Sequence, residues 1–331
     1  MLTSYANDPQ MRDVLIFSGS AHPVLTSSIA RYLGLNLSPT IVRKFSNDNY
    51  FIQLGVSVRS KEVFIVQPIS PPCSENLVEL FFMLDIARSA GARSVHAVIP
   101  YYSYARSDKK DAPRISISGR LIADLMQAAG ADHFITMTLH SAQVHGFFSV
   151  PTDHLTAHSV FVEHLQTRDL SNAVVLAPDI GHAKRAVKLA RALDLPAAAG
   201  EKTRLGDDKV NVTGIMGNVT GKHVLLVDDE IATGSTIIET IRALRKEGVS
   251  HVTVLGTHGL FTGNAARDLD AVDEIDEIVV TNTVPLDEDR RPAPQRLKVL
   301  PVDHIFGEVI RRNVRGESVG ELFEFWHKPK I

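Results

Sequence analysis

The residues with the clearest chemical potential lie in the segment His223–Thr236, which reads HVLLVDDEIATGST. Its first five residues, His223–Val227, are mostly apolar and predict a short buried strand. Two adjacent carboxylates, Asp228 and Asp229, follow at the carboxyl end of that strand. In that position they can accept hydrogen bonds from the vicinal hydroxyls of a sugar.

The loop after the acidic pair predicts a phosphate cradle. It consists of small residues, Ala232, Thr233, Gly234, Ser235 and Thr236. A helical pattern, Ile237–Glu247, follows and ends at Gly248. The first amides of a helix have no partner within the helix, and the helix dipole favours an anion beside them. A sugar that carries a phosphate therefore fits the whole segment.

An acidic pair after an apolar strand can also serve purposes unrelated to a sugar. Such a pair occurs as the Mg²⁺-holding partner of a P-loop, but the sequence contains no G-x-x-x-x-G-K-[ST] motif. It contains no G-x-G-x-x-G motif either. A purely structural acidic strand end is the remaining alternative.

The stretch Pro100–Arg114, PYYSYARSDKKDAPR, predicts a second ligand contact. It is aromatic and then basic, and it follows an expected strand, where long loops often carry ligand-binding residues. Tyrosine rings can pack against a base, while Arg106, Lys109 and Lys110 can meet phosphates. A solvated run of charges would look the same.

The histidines between His133 and His164 suggest a metal, since six of the fourteen in the chain fall there. Their spacings fit no recognised zinc pattern, and H-E-x-x-H is absent from the sequence. A single histidine, His140, is better suited to assist a hydrated Mg²⁺ near phosphates. Asp179 of the PDIGHAKRA segment would supply the carboxylate, since both residues follow predicted strand ends.

The polar stretch Glu201–Asp208, EKTRLGDD, predicts a mobile lid. Lys202 and Arg204 are separated by one residue, so in an extended loop their side chains point the same way. Two cations on a lid can close over a polyphosphate and neutralise the charge that develops during transfer. The alternative is two ordinary surface cations.

The elements that must position these residues alternate between strands and helices. The expected strands include Asp13–Phe17, Lys61–Gln67, Ser94–Ile99, Phe134–Met137 and Ala173–Ala177. The expected helices include Glu75–Ala90, Ser116–Ala129, His182–Leu193 and Val302–Asn313. This alternation predicts an α/β fold with parallel sheets flanked by helices.

The second half of the chain repeats the pattern of the first. Ile237–Phe261 echoes Leu77–Tyr104, each a helix, a glycine, a strand and a polar segment. Two related domains with a site in the crevice between them explain this echo, although all doubly wound folds share similar patterns. We expect a first domain at residues 1–151, with residues 310–331 packing back on it, and a second domain at residues 152–309.

Composition limits the classes of function. The chain has 331 residues, a hydrophobic fraction of 44% and a net charge of −3, so it has no electrostatic footprint for nucleic acid or an anionic membrane. Its single cysteine, Cys73, cannot form an intramolecular disulfide and suits a reducing cytoplasm. The first ten residues lack the pattern of a signal peptide, and no apolar run approaches the roughly 20 residues that span a bilayer. We therefore expect a soluble, cytoplasmic protein.

Several segments together resemble the ribose-phosphate pyrophosphokinase (PRPP synthetase) family across nearly the whole chain. They include KFSNDN at Lys44, VIPYYSYARSDKK at Val98, PDIGHAKRA at Pro178 and VDDEIATGST at Val227. The resemblance implies two phosphoribosyltransferase-like domains, each with a mostly parallel sheet flanked by helices. It also implies Mg²⁺-dependent transfer of a diphosphoryl group from ATP to the anomeric oxygen of ribose 5-phosphate, by in-line attack without a covalent intermediate.

The same resemblance implies a role for each site residue. Asp228 and Asp229 would bind the ribose hydroxyls, and Ala232–Thr236 the 5-phosphate. His140 and Asp179 would hold Mg²⁺, and Lys202 and Arg204 would be catalytic. The nucleotide would meet Phe45, Asn47, Asn49, Arg106, Ser107 and Lys109, with Phe45 supplied by a neighbouring subunit. Members of the family assemble from dimers, commonly into hexamers, so a homo-oligomer is expected.

The chain departs from the family pattern in several places. Asn47-Asp48-Asn49 replaces D-G-E, and Arg106-Ser107-Asp108-Lys109-Lys110 replaces R-Q-D-R-K. Thr138 stands where the family has Asp, and Ala232 replaces a third Asp in the ribose loop. The first two changes touch the nucleotide pocket. They favour an alternative, a weakly active or non-catalytic homologue that regulates a partner synthetase. Consumption of PRPP in transfer to a base is a third hypothesis.

Overall fold

The protein is described by a computed structural model that covers residues 8–204 and 210–323, without the side chains of residues 202–204, 210–213 and 321. The described residues form two compact units. The first holds the residues up to Thr156, Thr283–Pro285 and those from Val302 onward, and the second holds Ala157–Asn282 and Leu286–Pro301. The domain limits expected from the sequence, 1–151 and 152–309, stay a prediction, because compactness alone does not define a phosphoribosyltransferase-like domain.

The first unit is built on a parallel sheet. Its strands are β1 (Val14–Ser18), β2 (Thr40–Lys44), β3 (Tyr50–Leu54), β4 (Glu62–Val66), β5 (Ser94–Ile99), β6 (His133–Met137) and β7 (Thr152–Leu155). Five of them pair in the order β1-β4-β5-β6-β7, all parallel, while β2 and β3 form a separate antiparallel hairpin. Its first three helices are α1 (Pro23–Tyr32), α2 (Cys73–Ser89) and α3 (Ser118–Ala128). Aliphatic residues on both faces of β4 to β6 are buried, as a sheet covered by helices requires.

The second unit has a larger sheet of the same kind. Its strands are β8 (Ala173–Ala177), β9 (Ala197–Arg204), β10 (Val210–Met216), β11 (His223–Ile231), β12 (His251–Gly259), β13 (Ile275–Thr281) and β14 (Leu297–Leu300). They pair in the order β10-β9-β8-β11-β12-β13-β14, and only β10 runs antiparallel to its neighbour. The helices are α4 (His158–Leu165), α5 (Ala183–Leu193), α6 (Ser235–Lys246) and α7 (Ala265–Asp270).

The two units share one internal topology. In the first the sheet order is β1-β4-β5-β6-β7, and in the second the core order is β8-β11-β12-β13-β14. In each unit a hairpin, β2–β3 or β9–β10, lies in the sequence between the first strand and the second strand of this order. The predicted α/β class with two mostly parallel, helix-flanked sheets is therefore confirmed.

The last helix, α8 (Asp303–Arg315), belongs to the first unit. It packs against α1 so closely that a Cβ added to Gly307 would lie 2.3 Å from Cδ1 of Tyr32. On α8, Arg311 donates to the carboxylates of Glu308 and Glu317 at 2.8 and 2.7 Å. The hydrogen bond from Arg311, together with one of 2.8 Å from Arg312, lowers the pKa of Glu308 to about 2.

Two further observations concern the limits of the fold. The hairpin β2–β3 was not predicted, because its residues do not show the long apolar runs of the buried strands. Over the residues that the structure describes, no helix combines the length and the apolar character needed to cross a bilayer.

Candidate active site

The acidic pair lies within a strand and not after it, which corrects the prediction. β11 continues to Ile231 because β12 extends equally far and pairs with it, Asp228 opposite Gly256 and Ile231 opposite Gly259. On its other side, β11 pairs with β8 only as far as Leu226. The two aspartates therefore lie where β11 pairs with a strand on one side only.

The two aspartates differ in their surroundings. Asp229 is 3% exposed, whereas Asp228 is half-buried and accepts a hydrogen bond of 2.8 Å from the Asp229 amide. Burial, reinforced by the negative charge of Asp229, raises the pKa of Asp228 well above its usual value.

Asp179 and Asp229 are connected through the start of α5. Leu176 of β8 pairs with Leu226 of β11, and Asp179 and Asp229 each lie three residues further on. Oδ1 of Asp179 accepts from the amide and from Nδ1 of His182, at 3.1 and 3.0 Å. Nε2 of His182 is then 3.7 Å from Oδ1 of Asp229. The parallel register thus places Asp179, the predicted metal ligand, near the acidic pair that is predicted to bind a sugar.

Arg185 completes this cluster, with Nη1 3.5 Å from Oδ1 of Asp229. Neither His182 nor Arg185 was predicted as a site residue. The signal available in the sequence was their spacing, since residues three apart in the helical HAKRA segment share one face.

The loop predicted as a phosphate cradle overlaps the first turn of the following helix. α6 starts at Ser235, two residues before the predicted Ile237, so Ser235 and Thr236 form its first turn. Gly234 caps the helix with a φ of 75°, and a Cβ there would lie 3.1 Å from Cγ of Leu269. Oγ1 of Thr233 lies 3.5 Å from the Ser235 amide, at the long limit of a hydrogen bond. The first amides of α6 are thus directed outward without a side-chain cap, as an anion site requires.

The first unit has no such cradle at the corresponding place in its described part. The loop after β4, Pro68–Pro72, contains three prolines, which lack amide donors. Gln67 is fully buried and donates to Oε2 of Glu79 at 3.2 Å. Oε1 of Glu79 accepts from the Ser20 amide at 2.8 Å. The Ser20 amide, in the loop after β1, is thus already paired with a carboxylate of the protein.

The predicted nucleotide residues of the first unit lie in two separate segments. Arg106 ends a short 3-10 helix, Ser103–Arg106, and the carbonyl of Ser107 accepts from the Gly119 amide at 3.1 Å. This contact packs the segment against the first turn of α3. Both Arg106 and Lys109 are exposed, so an anion in solution can reach them.

The other nucleotide residues lie in the connection between β2 and β3. The Phe45 amide donates to the Asn49 carbonyl at 2.8 Å, and the Asn49 amide lies 3.4 Å from Oδ1 of Asn47. Phe45 is 54% exposed. The hydroxyl of Tyr50 donates to Glu75 of α2 at 2.7 Å and anchors the hairpin. Phe45 is therefore presented at the tip of a supported hairpin.

His140 follows β6 in the first unit and is half-buried. The amide of Leu139 beside it donates to Nε2 of His154 at 3.0 Å. On its other side, Oγ of Ser141 donates to Oδ2 of Asp108 at 2.7 Å. The loop that carries His140 is thus held from two directions.

The stretch predicted as a mobile lid is partly regular. Residues 201–204 belong to β9, which pairs antiparallel with β10, Arg204 opposite Val210 and Lys202 opposite Val212. Residues 205–209 and the side chains of Lys202 and Arg204 lie outside the described part of the chain. Their catalytic roles, like the other site roles, stay predictions.

Comparisons with known proteins give a consistent result. The N-terminal domain of ribose phosphate pyrophosphokinase matches residues 14–130, and the phosphoribosyl synthetase-associated domain matches residues 202–324. A ribose-phosphate pyrophosphokinase from Deinococcus radiodurans is 47% identical over 313 residues, which cover 94% of this chain and 98% of that protein. Another, from Wolinella succinogenes, is 43% identical over 95% of this chain and 100% of its own length. A crystal structure of phosphoribosylpyrophosphate synthetase from Mycobacterium smegmatis superposes with a TM-score of 0.86 at 34% identity, covering 92% of this chain and 100% of that one.

Proposed function

Because the chain belongs to the ribose-phosphate pyrophosphokinase family of transferases, we propose that it transfers the diphosphoryl group of ATP to the anomeric hydroxyl of ribose 5-phosphate. The products are PRPP and AMP. The observation that best supports this proposal is that the acidic pair of β11 is followed by a short loop of small residues and then by the start of α6, where no side chain caps the first amides.

In this proposal the second unit binds the acceptor substrate. Asp228 and Asp229 accept hydrogen bonds from the ribose hydroxyls. The amides and hydroxyls of Ala232–Thr236 bind the 5-phosphate, to which the dipole of α6 adds a favourable field. Ala232 does not weaken this cradle much, because backbone amides supply most of its donors.

Mg²⁺ is the metal that we propose for the reaction, with His140 and Asp179 as ligands. The carboxylates of Asp179 and Asp229 are oxygen donors of the kind that Mg²⁺ prefers. His182 lies beside both, with Nδ1 3.0 Å from Oδ1 of Asp179 and Nε2 3.7 Å from Oδ1 of Asp229. When bound, Mg²⁺ would neutralise charge on the polyphosphate.

The remaining residues act on ATP. Arg106 and Lys109 pair with phosphate oxygens, and the rings of the Phe45 hairpin pack against the base. Asn47, Asn49 and Ser107 offer polar contacts to the nucleotide. Lys202 and Arg204 stabilise the charge of the transferring group while the anomeric oxygen attacks in line. No side chain forms a covalent intermediate in this scheme.

We propose that the enzyme works in the cytoplasm as a homo-oligomer of dimers, up to a hexamer, with Phe45 completing the site of a neighbouring subunit. Light scattering after gel filtration measures the assembly. A Phe45→Ala subunit mixed with a subunit that lacks Lys202 should regain activity if the two residues belong to one composite site.

A phosphorus NMR assay tests the reaction itself. Purified protein with Mg²⁺, ATP and ribose 5-phosphate should form AMP and PRPP. Lys202→Ala should lower kcat far more than it changes KM, because its charge is needed only in the transition state. Lys222→Ala, at the amino-terminal end of β11, is the control and should leave kcat unchanged.

The altered nucleotide segments favour one competing function. A regulator that binds nucleotide or sugar phosphate without turnover would form no AMP with any nucleoside triphosphate. It would instead co-purify with an active synthetase. Transfer of the phosphoribosyl group to a base would release diphosphate from added PRPP, and the same spectra would detect it.

A further inference from the structure

The loop that carries His140 contains a strained residue. Thr138 has a φ of 45°, in the left-handed region that β-branched residues avoid. Such a conformation costs about 1–3 kcal/mol and persists only where the surroundings enforce it. The Thr138 amide donates to the Leu155 carbonyl at 2.9 Å, and the Leu139 side chain is 2% exposed. The core therefore holds the beginning of this loop firmly.

The side chain of His154 fixes the next peptide. Its Nε2 accepts from the Leu139 amide at 3.0 Å, so its ring proton is on Nδ1 when it is neutral. This contact orients the backbone directly before His140. Ser141, on the other side of His140 in the sequence, is outside this contact and needs a separate support.

Asp108 supplies that second support. Its Oδ2 accepts a hydrogen bond of 2.7 Å from Oγ of Ser141. Asp108 lies in the same segment as Arg106 and Lys109, which we assign to the nucleotide phosphates. The bond therefore joins the nucleotide segment to the residue next to His140, across 33 positions of sequence.

We propose that Asp108 is a positioning residue that sets the orientation of His140 through Ser141. The proposal rests on the proposed function, in which His140 binds the metal. Loss of the bond would free one side of the loop, while the contacts of Thr138 and Leu139 would keep the fold intact. Residues that orient metal ligands commonly change metal affinity by about tenfold or more.

Binding of Mn²⁺ to the full-length protein without substrates tests this directly, because the EPR signal of free Mn²⁺ does not depend on turnover. Asp108→Ala and Ser141→Ala should each weaken Mn²⁺ binding about tenfold, and the double variant should be no weaker than either. Asp108→Asn keeps an acceptor oxygen and should restore affinity to within about threefold. Asp111→Ala, an exposed carboxylate of the same segment, is the matched control and should bind Mn²⁺ normally.

A background that lacks the proposed ligand separates positioning from general damage. In His140→Ala, the further change Asp108→Ala should have no effect on Mn²⁺ affinity. An equal loss in both backgrounds, or no loss in either, would overturn the proposal. A protein that forms no AMP but shows the expected pattern of Mn²⁺ affinities would contradict the proposed function alone.

Discussion

Substitution of Gly234 by alanine should damage the phosphate cradle in a calculable way. The residue has a φ of 75°, where a side chain costs about 1 kcal/mol relative to glycine. The new Cβ would also lie 3.1 to 3.3 Å from three atoms of Leu269, which is fully buried and has little room to move. Crowding of this kind adds about 1 kcal/mol. The sum, about 2 kcal/mol, corresponds to a shift of the unfolding midpoint by about 4–8 °C.

The same strain should appear in substrate binding. The loop relieves the contact by moving the peptide between Gly234 and Ser235, which is part of the proposed site for the 5-phosphate. We expect the KM for ribose 5-phosphate to rise about tenfold or more while the KM for ATP changes little. Steady-state kinetics with each substrate varied in turn, together with calorimetric unfolding, measure both effects.

Gly248 provides the matched control at the other end of α6. Its φ is 76°, but a Cβ there would meet no atom within 4 Å. Gly248→Ala should therefore cost only the conformational part, about 1 kcal/mol, and leave both KM values unchanged. If the two alanine variants behaved alike, the assignment of the cradle and the argument from Leu269 would both be refuted.

Three further predictions concern stability. The pKa of Glu308 is held at about 2 against an ordinary 4.5, so its ionised form contributes stability above pH 4.5 that is lost as the pH falls toward 2. Glu308→Gln should therefore be less stable than the parent at pH 7 by about 1–2 kcal/mol. Urea titrations should show this difference shrinking near pH 3. Burial lowers the pKa of His158 from 6.5 to about 4, so the folded protein keeps this histidine neutral while the unfolded chain protonates it below pH 6.5. The fold therefore loses stability as the pH falls from 6.5 to 4. His158→Gln should remove part of that loss. Gly307→Ala should lower the free energy of unfolding by about 1–3 kcal/mol, because its Cβ would overlap the ring of Tyr32, and an unchanged thermogram would contradict the close packing of α8 on α1.

Much of the fold was predictable because its strands are buried on both faces. Short β-branched runs such as AVVLA at β8 favour a buried strand, and β5 and β8 were predicted with the bounds that the structure has. The exposed hairpin β2–β3 was missed because its burial is mixed and its hydrophobic pattern weak. Local signals thus succeed where burial is complete and are weak where the burial of a strand is mixed.

The end of β11 shows the same limit at the site. Nothing in DDEI marks a strand, since adjacent carboxylates usually end one. The strand continues because Thr257, His258 and Gly259 prolong its neighbour and supply hydrogen-bonding partners. The prediction therefore placed the two aspartates after the strand, whereas they lie within it.

The sequence by itself determined the class of fold, the acidic pair, the small-residue loop and the family, since each is encoded in residues that are contiguous in the chain. Only the tertiary structure decided which groups surround those residues. The register of β8 against β11 brings His182 and Arg185 to Asp229, and a loop contact joins Asp108 to Ser141. Such pairs depend on the alignment of separate strands, which is set by packing of the whole sheet and leaves no local mark in the sequence.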